Sequence, residues 1–326
     1  MPLLQRLRHT VADNQILIVL LAMVVGAIFP DFFQPLAPFS TPLLILIFFT
    51  SSLRLNMGEL MGYGRDWRML LLSNFTMLIF MPLAMWLPPA VFAPDWALPF
   101  LIVGAMPTGL TIALIADLFG GKTSLAMLIS ATTSLLAPVT IPLIFQLVIG
   151  QQIAIPALQM FTSLLITIVL PFVAAMLVKS RAKAAIEKHD LLWRETSLLI
   201  FGLLIAAIVA DTMRGGASSM HLGWNDIGIV AVMVVYMGGV AWLSYALAAW
   251  RTPAERITIA LCMVYMNNTL ALYIGNKFFH EQNVVPRLLI ILVAVNALLP
   301  PIKWAAGRVI KTAKIGKPSA IAQPIL

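Results

Sequence analysis

Long apolar runs recur along the whole chain, and short segments that hold most of the lysines and arginines separate them. Hydrophobic residues make up 61% of the sequence and charged residues 10%, whereas a soluble globular domain is about 25% charged. A chain of 326 residues with so few charges cannot bury all its apolar surface inside one water-facing core. The sequence therefore predicts an all-α integral membrane protein, because a helix satisfies its own backbone hydrogen bonds in lipid.

The apolar runs are long enough to be counted as membrane-spanning helices. Such a helix needs about 20 mostly apolar residues. The first run follows Arg6 and Arg8, and we interpret it as an uncleaved span because no small-residue cleavage site follows it. We predict ten transmembrane helices, at residues 14–30, 40–53, 69–88, 97–119, 122–148, 155–178, 193–211, 225–250, 257–276 and 286–308.

The positions of the basic residues predict the orientation of these helices, because cytoplasmic loops are enriched in lysine and arginine. With the N-terminus inside, 18 of the 21 basic residues fall on the cytoplasmic side and three, Arg214, Lys277 and Arg287, on the other. We therefore expect both termini in the cytoplasm and the chain in a bacterial inner membrane. The basic tail, residues 311–326, is expected at the cytoplasmic surface of the bilayer.

The longest cytoplasmic linker, residues 179–193, separates five predicted helices from the next five. Because five is odd, the two halves insert with opposite orientations, and this pattern is typical of inverted repeats in secondary transporters. We expect one transporter domain over residues 1–326, with a first repeat at 14–150 and a second at 155–310.

Two predicted helices in equivalent positions of the halves are interrupted by polar or helix-breaking residues. The fourth contains MPTGLT at 106–111, and the ninth contains MNNT at 266–269. One interpretation is an ordinary proline kink and amides that join helices; the other is a pair of broken helices that cross near the membrane midplane and bind substrate. The equivalent positions favour the second. The candidate substrate-binding residues are Pro107, Thr108, Gly109, Thr111, Asn267, Asn268, Thr269 and Asn296.

Hydroxyl and amide side chains inside other predicted helices are candidates for cation binding. Three hydroxyls of the fifth helix share one face because they are three and four residues apart, although a hydroxyl in a membrane helix can simply bond to its own preceding turn. The candidate cation-binding set is Ser130, Thr133, Ser134, Asn267 and Asn74.

Other classes of protein are less consistent with the sequence. The single cysteine, Cys262, excludes an intrachain disulfide and a cysteine-based metal cluster. All four histidines fall in predicted loops, and no paired carboxylates share a membrane depth, which disfavours a membrane enzyme. A channel stays open as an alternative. The net charge of +8 follows from the basic cytoplasmic loops and does not indicate nucleic acid. We predict no cofactor and no soluble protein partner, with the bilayer as the surrounding partner.

The run MPTGLTIALIADLFGGKTSLAMLISATTSLLAPVTIPLIF, residues 106–145, resembles the bile acid:sodium symporter superfamily. The matching features are Pro107, Gly109, the Gly120–Gly121 turn and the pair Pro138 and Pro142, and MNN at 266–268 is similar to the family's M-Q-N. The resemblance implies ten helices in two inverted repeats, with broken helices 4 and 9. It also implies alternating-access transport of a small organic anion.

Several positions depart from the pattern of this superfamily. The resemblance places sodium ligands at Ile112, Ala113 and Met263, none of which has a side-chain oxygen, and two further family polar residues fall on Met77 and Ala126. Sodium symport, proton coupling and facilitated transport all stay open. The nearest membrane-embedded acid is Asp117. Arsenite efflux carriers are related, but the thiol in their fourth helix has no counterpart here.

Overall fold

A computed structural model describes residues 15–55, 66–109, 111–214 and 223–315. Apart from one isolated β-bridge, the regular secondary structure of these residues is helical. The first half contains α1 Gln15–Ile28, α2 Pro30–Phe33, a 3-10 turn Gln34–Phe39, α3 Ser40–Leu53, α4 Trp67–Phe75, α5 Met81–Phe92, α6 Pro94–Gly104, α7 Ile112–Leu118 and α8 Thr123–Ile149. The second half contains α9 Ala157–Leu164, α10 Leu170–Lys188, α11 Asp190–Arg214, α12 Trp224–Leu247, α13 Pro253–Val264, α14 Asn268–Phe278, α15 Val285–Ala297 and α16 Leu299–Ile315.

Many of these helices join into runs that are long and apolar enough to cross a membrane. Within the described ranges there are seven, at Pro30–Leu53, Trp67–Phe92, Thr123–Ile149, Ala157–Lys188, Asp190–Arg214, Trp224–Leu247 and Val285–Val309. Large apolar side chains such as Phe92, Leu147 and Val235 are exposed on them, as lipid-facing residues are. The chain is therefore an integral membrane protein, as the composition predicted.

The helices pack into two groups. The first bundle comprises α1 to α3, α10 and α11, with α11 lying against α1 and α3 and α10 against α3, together with α9, which leads into α10. The second bundle comprises α4 to α8 and α12 to α16, in which α5 packs on α6 and α12 on α13. Contacts between the bundles include those of α14 with α3 and α11 and that of α9 with α8. The interface between the bundles is where the interrupted helices lie.

The predicted linker, residues 179–193, is itself largely helical. Helix α10 continues to Lys188 with a kink at Ala182, and α11 begins at Asp190. The apolar side chain of Ile186 explains this, because it packs in a small cluster with Leu53 and Ala175 and fixes the segment against α3. Of the predicted tail, 311–315 belong to α16, while residues 316–326, like residues 1–14, lie outside the described part of the chain.

Candidate functional site

Two helices are interrupted at the positions that the sequence indicated. Helix α6 ends at Gly104 and α7 begins at Ile112, with Pro107 in the segment between them. Helix α13 ends at Val264 and α14 begins at Asn268. Proline removes a backbone donor and prevents the helix from continuing. Each break leaves backbone groups without helical partners, and these groups need other partners inside a membrane protein.

The two breaks supply each other with those partners. Thr108 and Met266 form an isolated antiparallel β-bridge. The Gly109 N–H donates to the Tyr265 carbonyl at 2.8 Å, and the Asn267 N–H donates to the Pro107 carbonyl at 2.8 Å. The two breaks therefore lie against each other, and each supplies a backbone N–H and a backbone carbonyl that the other break needs.

Asn267 caps the helix that follows the second break. Its side-chain oxygen Oδ1 accepts from the Leu270 N–H at 3.1 Å, so Asn267 is the N-cap of α14. The side chain is 3% exposed, and its Nδ2 has no hydrogen-bond partner among the described residues. A buried amide donor without a partner is costly. Asn267 therefore holds a donor at the N-terminal end of α14 that a ligand could satisfy.

Tyr265 fixes the first break from the side of the second, and sequence reasoning missed it. Its hydroxyl lies 2.9 Å from the Thr111 hydroxyl. Its ring lies so close to Gly109 that a Cβ on this glycine would come within 2.6 Å of Tyr265 Cε1. Gly109 is therefore required here for close approach, which gives the sequence-predicted glycine a physical reason.

Thr108 and two hydroxyls of α8 brace the first break. Thr108 is fully buried, and its hydroxyl donates to the Cys262 carbonyl at 3.3 Å. Ser130 Oγ donates to the Thr108 carbonyl at 3.4 Å. Thr133 Oγ1 accepts from the Thr108 N–H at 3.4 Å, and it also donates to the Ile129 carbonyl of its own helix at 2.7 Å. Ser130 and Thr133 thus lie at the break, as expected, with Thr133 also bonded to its preceding turn.

A small cavity of about 40 Å³ adjoins the two breaks. Six of the eight predicted substrate-binding residues line it, namely Gly109, Thr111, Asn267, Asn268, Thr269 and Asn296. Pro107 and Thr108 do not line it. The first bundle contributes the apolar side chains of Val19, Ile47, Leu198 and Phe201 to its wall. The cavity therefore has an amide- and hydroxyl-bearing side from the second bundle and a mainly apolar side from the first.

A larger cavity of about 760 Å³ shares part of this wall, at Ser51, Thr111, Ser197 and Leu198. Seven charged residues line it: Arg54, Asp117, Lys122, Lys179, Glu187, Asp190 and Arg194. Asp117 and Lys122 are exposed, so the cavity is open on the face that these residues occupy. The large cavity thus extends from this charged face to residues that also line the small cavity at the breaks.

Comparison with known proteins identifies the group to which the chain belongs. The model of the SBF-like CPA transporter family matches residues 13–297. The chain belongs to this family. It is also 24% identical over 281 residues to sodium/bile acid cotransporter 7 of Danio rerio, a match that covers 81% of this chain and 84% of the relative. The chain is therefore a membrane transporter and not an enzyme, and the resemblance to bile acid:sodium symporters is confirmed.

The candidate cation-binding residues of this transporter do not form one cluster. The Asn74 amide donates to Thr132 Oγ1 at 3.0 Å. At about 100° per residue, Thr132 lies about 160° around α8 from Ser130 and so on nearly the opposite face. Asn74 is therefore held on the side of α8 that points away from the breaks. Ser134 is buried, and its hydroxyl has no partner within the described residues.

Near the breaks, the groups of this transporter that could bind a cation are neutral oxygen atoms and not clustered carboxylates. The carbonyls of Thr108 and Gly109 lie within 3.5 Å of Ser130 Oγ. In the described part of the chain, no group of three or more His, Cys, Asp and Glu side chains could hold a metal ion. Neutral oxygens suit a hard monovalent cation better than a transition metal.

Ser51 and Ser197 are two further lining residues of this transporter that the sequence did not single out. Their hydroxyls lie 3.0 Å apart and join α3 to α11, and both residues line both cavities. Neither serine interrupts a polarity pattern or lies beside a helix breaker. A hydroxyl whose partner is 146 positions away leaves no signal in one sequence.

Proposed function

We propose that this protein is a secondary transporter that binds a small organic anion at the paired breaks and moves it across the membrane by alternating access. The observation that carries the proposal is the unpaired, buried Nδ2 of Asn267 beside the small cavity. This donor lies at the N-terminal end of α14, where the helix dipole favours negative charge. A carboxylate there would satisfy the amide and benefit from the dipole.

The remaining lining of the small cavity supports a neutral mode of anion recognition. Thr111, Asn268, Thr269 and Asn296 are the other polar side chains that the second bundle contributes besides Tyr265. Asn296 Nδ2 donates to the Leu292 carbonyl at 2.7 Å, which leaves its oxygen to face the cavity or water. Among the described residues that line this cavity there is no lysine or arginine. Binding would therefore depend on amides, hydroxyls and the helix end, and an anion would enter and leave without breaking an ion pair.

We further propose the full architecture of ten spans in two inverted repeats, with both termini cytoplasmic, in a bacterial inner membrane. Seven uninterrupted spans support this count, together with the shorter α1 and the two interrupted pairs α6–α7 and α13–α14. The interrupted pairs are fourth and ninth in this order, which is the equivalent position in each half. The distribution of lysine and arginine supports the orientation.

In this orientation the large cavity opens to the cytoplasm, and the described conformation is open to the inside. Asp117, Lys122 and Lys179 lie on the predicted cytoplasmic side and line the cavity. The cavity separates α3, α10 and α11 of the first bundle from α7 and α8 of the second. A relative movement of the two bundles would close this side and open the other, as alternating access requires.

For the coupling ion, we propose that transport depends weakly or not at all on sodium. The resemblance places family sodium ligands at Ile112, Ala113 and Met263, and these side chains provide no oxygen. The competing candidate is sodium symport, which the name of the zebrafish relative and the neutral oxygens around Ser130 favour. Proton coupling would need a titratable group on the path, and Asp117 at the rim of the large cavity is the one available on α7.

Thermal-shift screening of the purified protein tests the proposal. A panel of small carboxylates, sulfonates and neutral isosteres is added with Na⁺ or with choline at equal ionic strength. We expect one or more carboxylates to raise Tm in the wild type in both salts, and their neutral amides to have no effect. Stabilisation by neutral isosteres to the same extent would contradict anion recognition, and stabilisation only in Na⁺ would favour sodium symport.

A further inference from the structure

Four polar side chains meet where α14 passes between helices of the first bundle. Tyr273 and Lys277 belong to α14, Thr41 to α3 and Ser163 to α9. The Tyr273 hydroxyl lies 2.9 Å from Ser163 Oγ and 3.2 Å from Thr41 Oγ1. Lys277 Nζ donates to the Tyr273 hydroxyl at 2.8 Å and to Ser163 Oγ at 3.0 Å. We call these four residues the Tyr273 cluster.

The hydrogen-bonding capacity of the Tyr273 hydroxyl is fully used in this cluster. Lysine can only donate, so the hydroxyl accepts from Lys277. One donor proton and one lone pair remain, and they suffice for Ser163 and Thr41. Two of the bonds have a charged donor and are stronger than bonds between neutral groups. Since Tyr273 is fully buried, the hydroxyl would be costly to leave there without these partners.

The Tyr273 cluster lies on the opposite side of the breaks from the large cavity. Helix α14 starts at the small cavity with Asn268, and at 1.5 Å per residue Tyr273 is about 7.5 Å and Lys277 about 13.5 Å along its axis. Helix α13 approaches the breaks from the other direction. Midway along this helix, Thr258 Oγ1 accepts from the N–H of Lys122, a residue that lines the large cavity. The chain thus passes from the open side, through the second break, to the cluster.

The hydrogen bonds of the cluster connect the two bundles. Three of them run from α14 in the second bundle to the first bundle: from Tyr273 to Thr41, from Tyr273 to Ser163 and from Lys277 to Ser163. By contrast, the pairs Ser51–Ser197 and Arg54–Asp190 beside the large cavity join helices within the first bundle. A separation of the bundles at the cluster would break all three cross-bundle bonds together.

We propose that the Tyr273 cluster is a latch that holds the transporter closed on the face opposite the large cavity. The proposal rests on the alternating-access function proposed above and adds the residues that control it. Opening this face separates α14 from α3 and α9 and exposes the four side chains to water. Because water replaces the lost partners, the latch shifts the equilibrium between the two conformations moderately and stays reversible. Deleting the Tyr273 hydroxyl therefore favours the conformation that is open on this face.

Labelling of a single cysteine at position 44 tests the latch. Leu44 is fully buried on α3, one turn from Thr41 of the latch and one turn from Ile47 of the small cavity. The background carries Leu44→Cys with Cys262→Ala, so that one thiol is present. Right-side-out membrane vesicles receive a membrane-impermeant maleimide without added substrate. Labelling rates are scaled to the amount of thiol that reacts after denaturation.

Tyr273→Phe is compared with Tyr236→Phe, which deletes a tyrosine hydroxyl on α12, outside the cluster. We expect Tyr273→Phe to label about three- to tenfold faster than Tyr236→Phe, since it loses several net hydrogen bonds of ordinary strength. Ser163→Ala is a second variant, with Ser180→Ala on α10 as its control. It removes a partner of both Tyr273 and Lys277, and it keeps the test valid if Tyr273→Phe does not fold.

Equal labelling rates in the test and control variants would overturn the latch. If the test and control variants label at the same measurable rate, the maleimide reaches position 44 from the opposite face. That outcome leaves the alternating-access proposal in place and contradicts only the latch. If position 44 stays unlabelled in all variants, both the latch and the alternating-access proposal are contradicted. Faster labelling of Tyr273→Phe or Ser163→Ala than of its own control supports the latch.

Discussion

Thr108 and Met266 lie opposite each other in a β-bridge that joins two helices, each of which is interrupted at the point of contact. Two 2.8 Å backbone hydrogen bonds, from Gly109 to Tyr265 and from Asn267 to Pro107, complete this junction. Strand-like pairing inside an otherwise helical membrane protein satisfies backbone groups that lipid could not. It also holds the N-terminal end of α14 beside a polar cavity in a defined orientation, which is what a binding site needs.

Asn267→Asp separates the two tasks of Asn267. The new carboxylate keeps an oxygen that can cap α14, and negative charge at a helix N-terminus is favourable. It replaces the unpaired Nδ2 donor with an acceptor that repels an anion. We expect the carboxylate-induced shift in Tm to disappear. Asn267→Leu, which loses the cap as well, should lower Tm by an amount that corresponds to about 1 kcal/mol. An unchanged ligand response in Asn267→Asp would show that Nδ2 does not contact the anion.

Gly109→Ala tests the close approach of Tyr265 to the first break. The added Cβ would lie 2.6 Å from Tyr265 Cε1, and the ring cannot retreat without stretching its 2.9 Å contact with Thr111. We expect a loss of about 1–3 kcal/mol in stability, as for other overpacked sites. Combining Gly109→Ala with Tyr265→Ala should cost less than the sum of the single changes, because the smaller side chain removes the clash. Additive losses in Tm measurements would contradict the contact.

Asp66 provides a pH-dependent contribution to stability outside the membrane-spanning segments. The guanidinium of Arg251, which hydrogen-bonds to the carboxylate, holds the pKa of Asp66 below its ordinary value of about 3.9, and the Met69 N–H lowers it further. A lowered folded-state pKa means that the contribution is complete above pH of about 3.9. It is lost as the pH falls through the folded-state pKa.

Asp66→Asn is therefore expected to lower Tm at neutral pH, by no more than about 1 kcal/mol in free energy because the pair is partly exposed. Asparagine can still cap α4, so the difference reports the charge. The Tm values of Asp66→Asn and the wild type should converge as the pH falls below about 3.9. Arg251→Gln should show the same convergence. A difference that stays constant down to low pH would show that the ion pair does not contribute.

The sequence predicted the breaks because they depend on local chemistry. Pro107 and Asn267 carry their effects in their own side chains, through a missing backbone donor and a capping oxygen. The lengths of the apolar runs predicted the long helices, because the length of a run is also a local property of the sequence. By contrast, the sequence could not show that Tyr265 packs on Gly109, since Tyr265 is unremarkable in an apolar chain and the contact depends on the tertiary arrangement.

Two further features depend on packing that the sequence does not show. Asn74 looked like a cation ligand because a polar amide in a membrane helix is rare, yet its direction around the helix axis points it to Thr132. The segment at 179–193 is predicted as the linker between the two halves, and the structure adds that it is largely helical and that Ile186 packs against α3. The polarity of a single residue shows that its side chain is unusual in an apolar helix. Which residue the side chain contacts depends on how the helices pack.

The Tyr273 cluster shows the same dependence on distant partners. Lys277 was assigned by charge alone to the non-cytoplasmic side, and Thr41 and Ser163 had no distinguishing pattern. The sequence separates Thr41 from Tyr273 by 232 positions and Ser163 from Tyr273 by 110. Only the packing of α3, α9 and α14 brings these hydroxyls together.

Uptake into proteoliposomes tests the central claim, that this protein moves a small organic anion bound at the paired breaks. Radiolabelled carboxylates that raise Tm are presented to liposomes that contain wild type, Asn267→Asp or no protein, with an imposed Na⁺ gradient or choline at equal osmolarity and pH. The account predicts saturable uptake by the wild type, little change when Na⁺ replaces choline, and uptake by Asn267→Asp equal to that of empty liposomes. Wild-type uptake equal to that of empty liposomes, or full uptake by Asn267→Asp, would contradict it.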